Sequence, residues 1–178
     1  LRKALRNHDI EVIVLSSPGG SIREGLQMAG VIHDKGLTTF IPKEQFVGEG
    51  DCASACSFMF FAGATRSAEG KLGVHQFNSS NQNEKQKVGE IQNSAQFTVS
   101  EIIGFLNEFK APPFVFERMF QQQEMYYFNS NEMQKIITEP NELNVKLTKS
   151  IDDFIIKLAS NFEIFIFLNY RLSNARFR

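Results

Sequence analysis

The chain has no tryptophan, only two cysteines, and almost no net charge, formally −1 over 178 residues. Near-neutrality without a basic stripe removes the electrostatic footprint expected of a partner for nucleic acid or an anionic membrane. The two cysteines, Cys52 and Cys56, are too few for a metal site, and neither His33 nor His75 is spaced to complete a recognised ligand set. No long uninterrupted apolar tract is present. The nearest, Ile151–Leu168, is broken by Asp152, Asp153, Lys157 and Glu163 and is too charged to span a bilayer. Internal repeats and low-complexity tracts are missing too, which excludes solenoids and flexible linkers. What remains is one domain's length, enough for a proper core, with eighteen phenylalanines to fill it. The chain starts at Leu1, and Leu1–Asn7 reads as the end of a basic helix, so the natural N-terminus is expected upstream and the missing signal peptide carries no information.

Glu11–Ser16 is a short β-branched run that reads as a buried parallel strand. Ser17-Pro18-Gly19-Gly20 then makes a turn, and Ser21 with Glu24 forms a capping-box signature. The helix it opens runs to about Lys35, with Ile22, Leu26, Ala29, Val31 and Ile32 available for its buried face. Leu37–Ile41 is the next strand, Pro42–Asp51 a loop, and Leu72–Phe77 a third strand. Strand, helix, strand, helix, strand predicts an α/β domain with right-handed parallel crossovers. From Glu84 to Lys110, Val88, Ile91, Ala95, Val99, Ile102, Leu106 and Phe109 form one seam of a long amphipathic helix. Its polar first half predicts that it projects from the core and buries the seam against another subunit. Ala111-Pro112-Pro113 ends it. A short helix over 114–122, a strand over 125–128 and a helix capped by Asn129 and Glu132 follow. Beyond Pro140 the pattern yields little: Ile151–Leu168 has helical spacing in its first half, and Phe162–Leu168 reads equally well as a strand.

The centre of the chain is Cys52-Ala53-Ser54-Ala55-Cys56-Ser57-Phe58-Met59-Phe60-Phe61-Ala62-Gly63. Small residues lead into a segment apolar on every side, so the helix from Ser54 to Ala62 must be buried. A serine opening a helix is ordinarily an N-cap, its hydroxyl accepting from the first turn. It can also be a nucleophile, because the free N–H groups there stabilise an anion formed beside it. A nucleophilic serine needs a base. His75, on the third strand, is the candidate; His8 and His33 have no neighbouring motif to place them. Acyl transfer also needs donors for an oxyanion. The Gly19 turn and the Ala55 N–H can supply them. Cys52 and Cys56 are either two small buried thiols or, outside the cytoplasm, a disulfide, since one helical turn brings their Cα atoms within range.

Together, Ser17-Pro18-Gly19-Gly20-Ser21, Cys52-Ala53-Ser54-Ala55 running to Ala62-Gly63-Ala64, and Val74-His75-Gln76 resemble the Clp protease proteolytic subunit. The Cys-x-Ser-Ala-Cys form resembles more closely a bacterial branch of Clp-like proteins predicted to be periplasmic. The resemblance covers about 12–137 and is strongest at these three motifs. It implies a ClpP/crotonase-type spiral of β-β-α units over residues 1–140, with a mainly parallel sheet and a protruding helix, followed by a C-terminal extension over 141–178. It implies Ser54 as nucleophile, His75 as general base, Gly19 and Ala55 as oxyanion-hole amides, and a homo-oligomer joined through the 84–110 helix. The family's acid falls at Tyr126 here, two residues before Phe128. Strand alternation puts Glu124 on the same face, so it is the candidate to orient His75; the alternative is a solvated charge.

The expected function is therefore a serine peptidase working through an acyl-enzyme on peptide or protein substrates, without metal or cofactor, in the periplasm or another extracytoplasmic compartment, with the cytoplasm as the alternative. Two alternatives stay open. One is the same fold serving as a weakly active or inactive binding module. The other is a crotonase-type acyl-CoA enzyme, against which the Ser54/His75 pair argues.

Overall fold

The computed structural model describes residues 1–7, 10–43, 50–76, 88–121, 123–138, 156–158 and 164–166. The N-terminal basic segment forms α1 (Arg2–Asn7). The first buried run forms β1 (Val12–Leu15), and α2 (Ile22–Asp34) follows the glycine turn, with Ser21 Oγ accepting from the Glu24 N–H. Helix α2 buries Gly25, Leu26, Ala29 and Ile32, while Ile22 and Val31 are only half-buried. Next come β2 (Thr38–Ile41), β3 (Asp51–Ala53), α3 (Ala55–Phe61), β4 (Thr65–Ala68) and β5 (Lys71–Val74). Then come α4 (Val88–Glu108), α5 (Pro113–Gln121), β6 (Tyr126–Tyr127), α6 (Ser130–Ile136), β7 (Ile156–Leu158) and β8 (Ile164–Ile166).

The architecture is mixed α/β, with two small sheets ordered β4-β2-β1-β8-β7 and β3-β5-β6. The pairs β1/β2, β2/β4 and β3/β5 are parallel; β6, β7 and β8 join antiparallel. Strands β3 and β4 add to those expected. Both are only three or four residues long and too brief to show a period of their own. The expected helical stretch at the start of Ile151–Leu168 is corrected at residues 156–158, which form β7; the strand expected within Phe162–Leu168 is present as β8. Because β8 runs beside β1, the segment after residue 140 contributes to the same sheet as the N-terminal half.

Helix α3 is the centre of the core. All seven of its residues are buried, as a sequence with no charge and no polar side chain but Ser57 requires. Helix α2 lies against it, and the approach depends on Gly25, where a Cβ would come within 2.8 Å of the Ala55 carbonyl oxygen. At its other end, buried Arg66 donates from Nη1 to Phe61 O and to Phe109 O, tying α3 to the end of α4. The seam of α4 turns inward at Ile102, Leu106 and Phe109, all buried in this chain's own core rather than held out for another subunit. Its side chains before residue 95 lie outside the described residues. Among the described residues of α4, the exposed large apolar side chains are Phe97 and Ile103, which are not part of the seam.

Candidate active site

Strand β3 runs through Ser54 directly into α3, so the serine stands on the turn between a strand and a buried helix. Its backbone is at φ 55° and ψ −125°, outside the regions comfortable for an L-residue. One of the other described non-glycine residues, Lys110, also has positive φ. Such a conformation costs on the order of 1–3 kcal/mol and persists only where its surroundings enforce it. A strained strand-to-helix serine that projects its Oγ is the geometry of a nucleophile elbow.

Ser54 occupies the N-cap position of α3, yet its side chain makes no capping bond. Its Oγ lies instead 2.8 Å from His75 Nε2. Ser57 Oγ donates to the Ser54 carbonyl at 2.7 Å. The register between β3 and β5 explains the pairing. Ala53 stands opposite Gly73, and the Ser54 N–H donates to Gly73 O at 3.0 Å. Two residues beyond Gly73, on the same face by strand alternation, is His75. Leu72 and Val74 are fully buried, whereas His75 and Ser54 are half-buried and open to solvent on one side. Gln76 Nε2 donates to Phe120 O and anchors the end of this strand on α5.

The Ser17-Pro18-Gly19-Gly20 turn closes on the serine from the other side. Ser17 pairs with β3 through Ser17 N–H to Asp51 O (2.8 Å) and Ala53 N–H to Ser17 O (3.0 Å). This lays Gly19 so close to Ser54 that a Cβ there would sit 2.5 Å from Ser54 Cβ and 3.1 Å from its Oγ. With φ at +114°, Gly19 also has a backbone that only glycine adopts readily. Its N–H, expected to face an oxyanion, donates to Ser17 Oγ at 3.2 Å. A substrate carbonyl would have to displace that contact, which is long for a hydrogen bond. Ala55 is the first residue of α3, where an N–H has no carbonyl one turn earlier to bond.

Glu124 does not meet its expectation. It is exposed on a bend before β6, and none of the described hydrogen bonds or ion pairs joins it to His75. Alternation fails because the strand is only two residues long and starts at Tyr126, leaving Glu124 outside it. The carboxylate that meets Tyr126 is Glu132. It accepts from Tyr126 OH at 2.8 Å, from Arg118 Nε at 3.0 Å and from the Asn129 N–H at 3.1 Å. The capping-box signature at Asn129 and Glu132 announced one of these bonds. The other two join residues 6 and 14 positions away and had no local signal. Tyr126 pairs with Val74 across β5/β6, so this cluster braces the strand that leads into His75.

Burial pushes the Glu132 carboxyl up. The Asn129 N–H, the Tyr126 hydroxyl and Arg118 outweigh it and hold the group below its ordinary value. A carboxyl depressed in the folded state contributes stability that is complete above the unfolded value and is lost as pH falls through the folded one. Glu132→Gln is therefore expected to lower the melting temperature at pH 7 and to flatten its decline below roughly pH 5. Melting curves from pH 3 to 7 that stay parallel for the two proteins would contradict this.

Among the described residues no group of three or more His, Cys, Asp or Glu side chains could hold a metal ion. Cys52 and Cys56 are joined in a disulfide, with Cα atoms 5.2 Å apart, resolving the choice left open by spacing alone. No protein-family model matches the chain, and no curated protein matches it. The case for the site is therefore its geometry.

Proposed function

We propose that the chain is a serine-type hydrolase that cleaves peptide bonds through an acyl-enzyme on Ser54, with His75 as general base. The observation that carries this reading is the bond Ser54 does not make. A serine that merely caps a helix turns its hydroxyl to the first-turn N–H groups. This one turns to an imidazole at 2.8 Å, from a backbone conformation that has to be enforced.

In the reaction, His75 Nε2 takes the hydroxyl proton as Oγ bonds to the scissile carbonyl carbon, and the carbonyl electron pair moves onto oxygen. The Ala55 N–H and, once freed from Ser17 Oγ, the Gly19 N–H receive that charge. The imidazolium then passes its proton to the leaving amine. Water, activated by the same imidazole, releases the acid from Ser54. The chain needs no metal or cofactor for these steps. The motif resemblance to the Clp proteolytic subunit supports peptides as the substrate class and a ClpP/crotonase-type spiral as the finer fold. It also supports a homo-oligomer, with exposed Phe97 and Ile103 on α4 as apolar surface for a second copy. The disulfide supports an extracytoplasmic address, because such bonds persist in oxidising compartments.

A second reading has its own support. His75 has no carboxylate partner among the described residues, and the Gly19 N–H is engaged. Both favour a slow enzyme, or a binding module that keeps the dyad. A fluorophosphonate probe separates the two. The hydrolase incorporates one probe per chain at Ser54, and Ser54→Ala incorporates none. A folded wild type that stays unlabelled is a binding module.

A further inference from the structure

The residues two before and two after the serine are Cys52, at the middle of β3, and Cys56, in the first turn of α3; both are fully buried. Their disulfide spans a separation of four residues, with the serine at its centre. A bridge stabilises a fold chiefly by restricting the unfolded chain, and this effect grows with the length of loop closed. A loop this short gains about 2 kcal/mol in that way, less than a long loop would. The bridge also has a local consequence.

The local feature it encloses is the strained residue of the site, Ser54 at φ 55° and ψ −125°. Relaxing φ to the ordinary negative range would change the angle at which the helix leaves the strand. The bridge joins those two elements and opposes the relaxation. Two further restraints act on one side each. Ser17 holds β3 through Asp51 and Ala53, and Ser57 Oγ holds the Ser54 carbonyl from within α3. The disulfide alone among these links the strand to the helix across the serine.

Resting on the hydrolase reading above, we infer that the Cys52–Cys56 disulfide is a positioning device, which keeps the Ser54 Oγ against His75 Nε2 by clamping the elbow at both ends. Cys52 and Cys56 are then positioning residues: they touch neither substrate nor reacting atoms, and their effect is on the rate of acylation. Displacements of about 1 Å at a reacting group cost up to roughly 10²-fold in rate, so opening the bridge should slow acylation by about 10- to 100-fold while leaving the core folded.

The test uses the full chain and a fluorophosphonate probe, measuring both the saturating labelling rate and the final extent. Oxidised wild type is compared with wild type reduced by a water-soluble phosphine, the reagent leaving as its oxide and two thiols appearing, and with Cys52→Ala/Cys56→Ala. Denaturing alkylation and mass measurement verify the thiol count, and circular dichroism verifies folding. The expected result is a 10- to 100-fold lower saturating rate in the reduced and double-substituted proteins, the probe concentration for half-maximal rate unchanged, and labelling still running to one per chain. Reoxidation should restore the rate for wild type only. A merely structural bridge behaves differently: part of the population unfolds, the extent falls, and the folded remainder labels at the oxidised rate. That result overturns the inference, as does loss of folding in both the reduced and the double-substituted protein. Equal rates with two free thiols present overturn it while leaving the hydrolase reading intact. Oxidised wild type that does not label at Ser54 overturns both.

Discussion

Ser54→Gly is expected to abolish labelling and yet to be more stable than Ser54→Ala, by about 1 kcal/mol or more. Both substitutions delete the hydroxyl and its contact with His75, so that loss cancels in the comparison. What differs is the Cβ. At an ordinary position glycine is the less stable of the two by about 0.5–1 kcal/mol, because its unfolded chain has more freedom to lose. At φ 55° and ψ −125° the order should invert, since alanine keeps the strain that serine had and glycine sheds it. For a chain of this size a difference of about 1 kcal/mol corresponds to roughly 2–4 °C in melting temperature. Two thermal melts under one buffer decide the matter. A glycine variant melting below the alanine one would mean that the elbow is not strained, and the positioning role of the disulfide would lose its premise with it.

His75→Ala should lower the labelling rate by roughly 10⁴-fold or more, the range in which serine hydrolases lose activity when a member of the catalytic set is removed. The size of the effect follows from the lack of any substitute among the described residues. Glu124 is exposed and unconnected to the dyad, and His33 stands near the far end of α2, its Nδ1 3.8 Å from a Glu108 carboxylate oxygen and its ring against Phe109. His8 lies outside the described residues. His33→Ala and Glu124→Gln are accordingly expected to label within about twofold of wild type, as substitutions remote from a reacting group generally do. The contrast between these controls and His75→Ala is what separates a base from a histidine that merely supports the fold. A His75→Ala protein that labels within tenfold of wild type would remove the imidazole from the mechanism.

The helix signals were legible because each is written in a few adjacent residues. Asn129 and Glu132 form the capping box that their spacing announces, Ser21 caps α2, and the uniformly apolar run after Ser54 is buried along its whole length. The same locality accounts for the turn at Gly19, whose lack of a side chain proves necessary where another backbone passes close by. Expectations that depended on partners far along the chain fared less well. The α4 seam was legible as a seam, but nothing in its period says whether its own core or a second copy receives it, and Ile102, Leu106 and Phe109 go inward. Alternation puts Glu124 on the face of Tyr126 only along a strand that holds both, and β6 starts after it.

Residue types and their spacing along the chain therefore determined the short-range elements: which segments coil, where they start, and which serine, histidine and glycines had chemistry to offer. Only the tertiary structure decided which of those residues meet. The parallel register of β3 against β5 sets His75 beside Ser54, the Ser17 bridge brings Gly19 against the serine, and Arg118 and Tyr126 gather on Glu132, while Glu124, the carboxylate expected at His75, stays exposed. The reason is physical. Capping and periodicity are properties of a few consecutive residues, whereas a register is chosen by the burial of many side chains at once, and no single segment carries it.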